Sequence, residues 1–197
     1  MGGATKGELR TELGIGPDEN VVLAVGRITK AKGVEDVGAV AKILSERGKR
    51  FRFIFVGRAR DAGYGRMINL TYGKYVDFVR HRSDVGNIYA DADLLVHLSH
   101  REGSPLVFIE ALEFGLPCLA WNLPGVSEDV EDGVTGYSPQ FGDLEGAADT
   151  IERLLESPSE LNSLSVGARE AFTKFAINKY ADRLIYEYRS RIRIISE

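Results

Sequence analysis

The sequence predicts an α/β fold of Rossmann-like type: three layers, α/β/α, built on a mostly parallel sheet. Two observations carry that prediction. Short runs of β-branched and apolar residues alternate with segments whose apolar residues recur at helical spacing, the signature of βαβ units. The runs are apolar on consecutive positions, as strands covered on both faces must be. A third feature agrees with them: 22 of the 197 residues are glycine, well above the average share of about 7%, and a chain of short strands and helices needs many tight turns.

The elements follow in order. Val21-Val22-Leu23-Ala24-Val25 is the first strand and ends at Gly26. Val34, Val37, Val40, Ala41 and Leu44 then share one helical face, and Gly48 stands where a left-handed residue closes a helix. Phe51 to Val56, Val76 to Val79, Leu94 to Leu98 and Cys118 to Trp121 read as the second to fifth strands, with a short sixth near Tyr137. Ser104-Pro105 reads as N-cap and first residue of a helix that carries Leu106, Ile109, Glu110 and Leu112 and closes at Gly115. Asp143 is expected to cap a helix with Ala147, Ile151, Leu154 and Leu155 inward. Pro158 then breaks the chain before two C-terminal helices spanning about 159–195, the last with Ile177, Tyr180, Ala181, Leu184, Ile185 and Tyr188 on its apolar face. No long linker interrupts this pattern, so residues 1–197 read as one domain.

Composition excludes several classes of function. With 25 Lys and Arg against 29 Asp and Glu, the net charge is -4, the wrong sign for a general polyanion binder, so no nucleic-acid partner is expected and any anion site must be local. The single cysteine, Cys118, lies in the apolar run Leu116 to Trp121 and reads as a reduced core thiol. No apolar stretch approaches the ~20 residues of a membrane span. The start, Met1-Gly2-Gly3-Ala4-Thr5-Lys6, lacks a signal core. A cytoplasmic location without a transmembrane segment is the expectation.

In an open parallel sheet, ligands bind beyond the carboxyl ends of the strands, so the loops after strands carry the functional weight. Gly26-Arg27-Ile28-Thr29-Lys30-Ala31-Lys32-Gly33 places Arg27 and Lys32 just before a helix start. Cations there oppose the helix dipole unless an anion such as phosphate lies between them; two solvated surface cations are the alternative. His97 to Glu110 puts Glu102 in a loop and Glu110, eight residues on, in the second turn of the helix. Glycine at 103 permits close backbone approach, and the amides of Gly103 to Val107 are donors that a helix start leaves free. Taken singly, each Glu reads first as a solvated surface carboxylate. Gly57-Arg58-Ala59-Arg60 and Asn122-Leu123-Pro124-Gly125 follow the second and fifth strands and read as turns with weak functional signal.

Together, Gly26-Arg27 through Lys32-Gly33, the run Glu102-Gly-Ser-Pro-Leu-Val-Phe-Ile-Glu110-Ala, Gly115-Leu116-Pro117 and Glu131-Asp132-Gly133-Val134-Thr135-Gly136 resemble the family 4 retaining glycosyltransferases. The resemblance runs from about residue 8 to 190 and matches the C-terminal, donor-binding half of the GT-B fold. It implies that Arg27 and Lys32 hold the diphosphate of a nucleotide sugar, that Glu110 takes the ribose hydroxyls and that Glu102 faces the donor hexose as nucleophile or electrostatic support. The amides of Gly103, Ser104, Pro105-linked Leu106 and their neighbours would meet the hexose or diphosphate. The backbone after Val79, with Val85 and Ile88, would border the base. No metal or cofactor is implied beyond the donor itself.

The resemblance also implies a missing partner. The N-terminal half that would supply the acceptor site lies outside these 197 residues, so an acceptor-binding domain or subunit is expected, and the chain alone should be inactive or weakly active. The alternative is a non-catalytic nucleotide-sugar-binding subunit of a split enzyme. Ser104, where an aromatic residue is common, and Arg58, where a small or acidic one is common, imply a donor preference of its own.

Other signals are weaker. Asp91-Ala92-Asp93 has a metal-binding look but precedes the fourth strand, at the wrong end of the sheet, and reads as a cap or polar turn. His81, His97 and His100 lack the spacing of a metal set. His97 reads as a packed strand residue, while His100 and Arg101 are candidate donor contacts. Gly14-x-Gly16 and Gly63-x-Gly65 complete no dinucleotide fingerprint, and neither a P-loop nor a Gly-x-Ser-x-Gly elbow is present.

Overall fold

The computed structural model describes residues 7–82, 84–103, 105–125 and 130–175. The expected last helix, with Ile177 to Tyr188, and the expected cap Ser104 lie outside the described residues. Six strands form one sheet: β1 (Val21–Val25), β2 (Arg52–Val56), β3 (Val76–Val79), β4 (Leu94–His97), β5 (Cys118–Ala120) and β6 (Gly136–Tyr137). Their order is β3-β2-β1-β4-β5-β6, and every neighbouring pair is parallel. The second, fourth and fifth strands are each one residue shorter than the apolar runs that announce them.

Strand side chains alternate between two cores, which is why the runs are apolar at every position. Val22, Ala24, Phe53, Phe55, Leu94, Val96 and Leu119 face one core. That core is completed by α2 (Val34–Glu46), α3 (Ala62–Tyr72), α6 (Leu144–Glu156) and α7 (Pro158–Phe175). Val21, Leu23, Ile54, Val56, Leu95, Cys118 and Ala120 face the other, covered by α1 (Glu8–Glu12), α4 (Val85–Ala90) and α5 (Leu106–Glu113). Cys118 is buried there as a free thiol.

Local signals place the helix ends. The amide of Gly48 donates to Ser45 and that of Lys49 to Leu44, the paired bonds that close a helix on a left-handed glycine. Gly115 and Leu116 close α5 on Leu112 and Ala111 in the same way. Asp143 caps α6 by accepting from the Gly146 amide at 2.9 Å. Two expectations shift. Pro105 is the N-cap of α5, in extended conformation, and Leu106 its first residue. Pro158 opens α7 instead of standing before it, since a proline at the first position gives up an amide that has no intrahelical partner. The helices α1, α3 and α4 are short or weakly amphipathic and were not marked by periodicity.

Asp91 and Asp93 act as expected, as caps. Asp91 is 1% exposed and accepts from the amides of Gly7, Leu9 (2.8 Å) and Arg10 (3.3 Å), anchoring the start of α1. Asp93 accepts from the Val21 amide at 2.7 Å and pairs with Arg10 at 2.9 Å. Among the described residues, no helix is long and apolar enough to cross a membrane.

Candidate functional site

The strand order reverses between β1 and β4, so the loops that follow them open on opposite sides of one crevice at the carboxyl edge of the sheet. Direct bonds hold these loops together. The His100 amide donates to the Ala31 carbonyl at 3.0 Å, and the Ser99 hydroxyl donates to it at 2.8 Å. Gly33 sits at φ +60, and a Cβ there would come within 1.7 Å of the Leu98 carbonyl oxygen. Only glycine permits both the left-handed backbone and that approach.

The β1–α2 loop delivers two cations into different surroundings. Arg27 is exposed and lines a cavity of about 400 Å³ with Gly57, Arg58, Val85, Ile88 and Glu110. Among the described residues, no carboxylate pairs with its guanidinium. Lys32, in a short 3-10 turn over Lys30–Lys32, is half-buried and pairs with Glu102. The expected clash of cations with the dipole of α2 is softened by Glu35 and Asp36 in its first turn.

Glu102 is the centre of the second group. Its side chain is 9% exposed. Lys32 Nζ donates to Oε1, and His97 Nε2 lies 2.7 Å from the same oxygen. Burial by itself would push this carboxyl up, but the hydrogen bonds from His97, Lys32 and Ser99 outweigh it and hold the group down at about 2. Glu102 is therefore a carboxylate at neutral pH. Its backbone is braced from a third loop: a Cβ on Gly125 would stand 3.0 Å from the carbonyl oxygens of both Glu102 and Gly103.

Glu110 projects from α5 into the cavity that Arg27 shares, and Tyr89 Oη donates to it at 2.7 Å. Burial and that neighbouring carboxylate both push the Tyr89 hydroxyl up, so it stays a donor. Gly103 and Leu106 are exposed and Pro105 is buried. Among the described residues, no side-chain cap bond is made at the N-cap Pro105 of α5. Val85 lines the Arg27 cavity, whereas Val79 lines a neighbouring, larger cleft of about 1,090 Å³ that shares Gly57, Arg58 and His81 with it.

The structure thus joins Arg27 with Glu110 and Val85, and Lys32 with Glu102, at one edge of the sheet. It does not bring Arg27 and Lys32 into one ion cluster. His100 turns away from Glu102: its Nε2 lies 2.8 Å from Asp36 Oδ2, which also accepts from Trp121 Nε1 at 3.0 Å. His97 is buried, as a strand residue should be, but it also bonds the key carboxylate. The sequence signal for that was a histidine at a strand end five residues from a glutamate. No group of three or more His, Cys, Asp or Glu among the described residues could hold a metal ion.

A parallel sheet of this order, with cations and carboxylates in the loops at its carboxyl edge, defines a Rossmann-type α/β domain with a polar cleft at the switch point. Residues 5–171 match the family described as Glycosyl transferases group 1, and the chain belongs to that family. It is similar to N-acetyl-alpha-D-glucosaminyl L-malate synthase of Bacillus anthracis, at 30% identity over 165 residues, covering 83% of this chain and 43% of that protein. It is also similar to alpha-D-kanosaminyltransferase of Streptomyces kanamyceticus, at 30% identity over 198 residues, covering 94% and 49%. HepE of Anabaena, solved in complex with UDP, superposes with a TM-score of 0.83 at 24% identity, covering 94% of this chain and 52% of that one. The six-stranded sheet and flanking helices of this chain match about half of that GT-B glycosyltransferase structure. The chain spans about half, or less, of the length of these relatives.

Proposed function

We propose that this chain is the donor-binding, C-terminal domain of a family 4 retaining hexosyltransferase. It binds a nucleotide-diphosphate sugar and, with an acceptor-binding N-terminal half, transfers the glycosyl group with retention. The reading treats residues 1–197 as one nucleotide-sugar-binding domain, working in the cytoplasm without a metal or further cofactor. The observation that carries it is the arrangement at the β1/β4 crevice. Arg27, which pairs with no carboxylate among the described residues, lines a cavity of about 400 Å³ together with Glu110, while Lys32 meets the ionised Glu102 in the adjoining loop.

The chemistry suits these groups. Cleaving a sugar–phosphate bond builds negative charge on the departing diphosphate, where fixed cations and amide donors lower the barrier most. Arg27, Lys32 and the amides around Gly103, Ser104 and Leu106 answer that charge. Glu110 accepts from ribose hydroxyls, with Val79, Val85 and Ile88 bordering the base. Glu102, held as an anion, supports positive charge developing at the sugar carbon, as nucleophile or as an electrostatic partner.

Two measurements test the reading. Calorimetry with UDP, GDP and ADP should give binding to at least one, and Arg27→Ala should weaken it by roughly 10- to 150-fold, the loss of one charge-assisted contact of about 1.5–3 kcal/mol. Unchanged affinity removes Arg27 from the diphosphate site. Adding an N-terminal half and donor separates enzyme from binding subunit: glycoside formation supports the transferase, and binding without turnover supports the non-catalytic alternative.

A further inference from the structure

We propose that His97 is a positioning residue that keeps hold of the Glu102 carboxylate, and takes up a proton, when a diphosphate draws Lys32 away. The inference rests on the nucleotide-sugar reading above and gives His97 a role beyond packing.

Both donors use one oxygen, Glu102 Oε1, but they are mounted differently. His97 ends β4, is 5% exposed, and lies edge-on to Phe108 with ring centroids 5.2 Å apart. Its ring cannot leave without repacking the core. Lys32 stands on a loop, its side chain 20% exposed, on a flexible four-carbon stem. An anion entering beside Arg27 therefore competes with Glu102 for the ammonium, and the imidazole stays.

Charge balance supplies the proton. With Lys32 in place, one ammonium offsets one carboxylate, and the pair needs no further positive charge. The ionised carboxylate only accepts, so the ring hydrogen is on Nε2 and Nδ1 is the basic nitrogen. The groups around His97 are Glu102 from the β4–α5 loop, Lys32 from the β1–α2 loop, Phe108 from α5 and Ala120 as its partner on β5. Among these, only Glu102 and Lys32 carry charge. Removing the ammonium leaves a nearly buried carboxylate without a counter-charge, a costly state. A proton passing from solvent to Nδ1 restores neutrality, while Lys32 keeps its own protons for the diphosphate.

The test uses the whole chain and UDP. The protein has three histidines, so carbon-13 NMR of the imidazoles resolves each titration, with His97 assigned by its loss in His97→Gln. The exposed His81 and His100 provide assignment by exclusion, through His81→Gln and His100→Gln, should His97→Gln not fold. We expect saturating UDP to raise the His97 midpoint by about one pH unit and leave His100, bonded to Asp36, nearly still; His81 lines the Arg27 cavity and is not used as a control. In parallel, calorimetry in two buffers of different ionisation enthalpy at pH 7.5 should count roughly 0.3–0.5 more protons taken up per UDP by the wild type than by His97→Gln. The Gln amide keeps a donor for Glu102 but cannot titrate. UDP binding with an unmoved His97 midpoint and equal proton counts overturns this inference alone. Absence of binding heat from UDP, GDP and ADP removes the nucleotide reading and this inference with it.

Discussion

Arg27 and Lys32 belong to one loop and stand five residues apart, yet they present their charges in opposite ways. Arg27 is exposed and unpaired among the described residues; Lys32 is half-buried and already engaged with Glu102. A free cation offers an entering anion its full attraction, whereas an engaged one offers only the difference between the new contact and the old. The comparison predicts a division of labour in which Arg27 sets affinity and Lys32 links ligand binding to the state of Glu102.

The strongest way to break that arrangement is to separate the loops that carry it. Gly33→Ala would force a Cβ into the Leu98 carbonyl at a left-handed position, and we expect a loss of about 2–4 kcal/mol in urea unfolding together with loss of nucleotide binding. A variant of wild-type stability would show that the loops tolerate being moved apart. Next comes Glu102→Gln. In the presence of an acceptor-binding half, transfer should fall about 100-fold or more, whereas nucleoside-diphosphate affinity, measured by calorimetry, should hold or rise severalfold because Lys32 no longer has a competing carboxylate. Weaker binding in that variant would mean that Glu102 positions Lys32 for the ligand instead of competing for it.

Smaller effects sharpen the comparison. Lys32→Ala should weaken nucleoside-diphosphate binding less than Arg27→Ala does, by about 10-fold or less, since part of its contact energy is already spent on Glu102; equal losses would erase the distinction. Acid should reveal the engaged pair. A carboxyl held at about 2 in the fold, against about 4.3 in the unfolded chain, contributes stability that is fully present above pH 4.3 and is lost as pH falls toward 2. Wild type and Glu102→Gln should therefore converge in stability across that window, by about 1–3 kcal/mol, in acid titrations followed by circular dichroism. The smallest expected change is in Tyr89→Phe, which removes the donor to Glu110 and should shift nucleotide affinity by about 2- to 10-fold.

Features that depend on neighbouring residues were legible in the sequence. The apolar runs from Val21, Val76 and Cys118, the closing glycines at 48 and 115, and the cap at Asp143 each follow from the preferences of a few adjacent residues. The one-residue shift at Pro105 marks the limit of that reading, because an N-cap and a first helical position differ only in backbone dihedral angles. The eight-residue spacing puts Glu102 in the loop and Glu110 in the second turn of α5, where the first meets Lys32 and the second lines the Arg27 cavity.

What the sequence by itself determined is the alternation of strand and helix, the two-faced burial of the sheet, and the presence of cations and carboxylates in loops after strands. Tertiary structure alone decided how those charges pair. Lys32 and Glu102 are 70 residues apart, and they meet only because β1 and β4 lie side by side, because Gly33 lets their loops touch, and because β4 carries His97 to the same oxygen. Local propensity is a property of adjacent residues, whereas pairing across a crevice is set by strand order and close packing, which no single segment encodes.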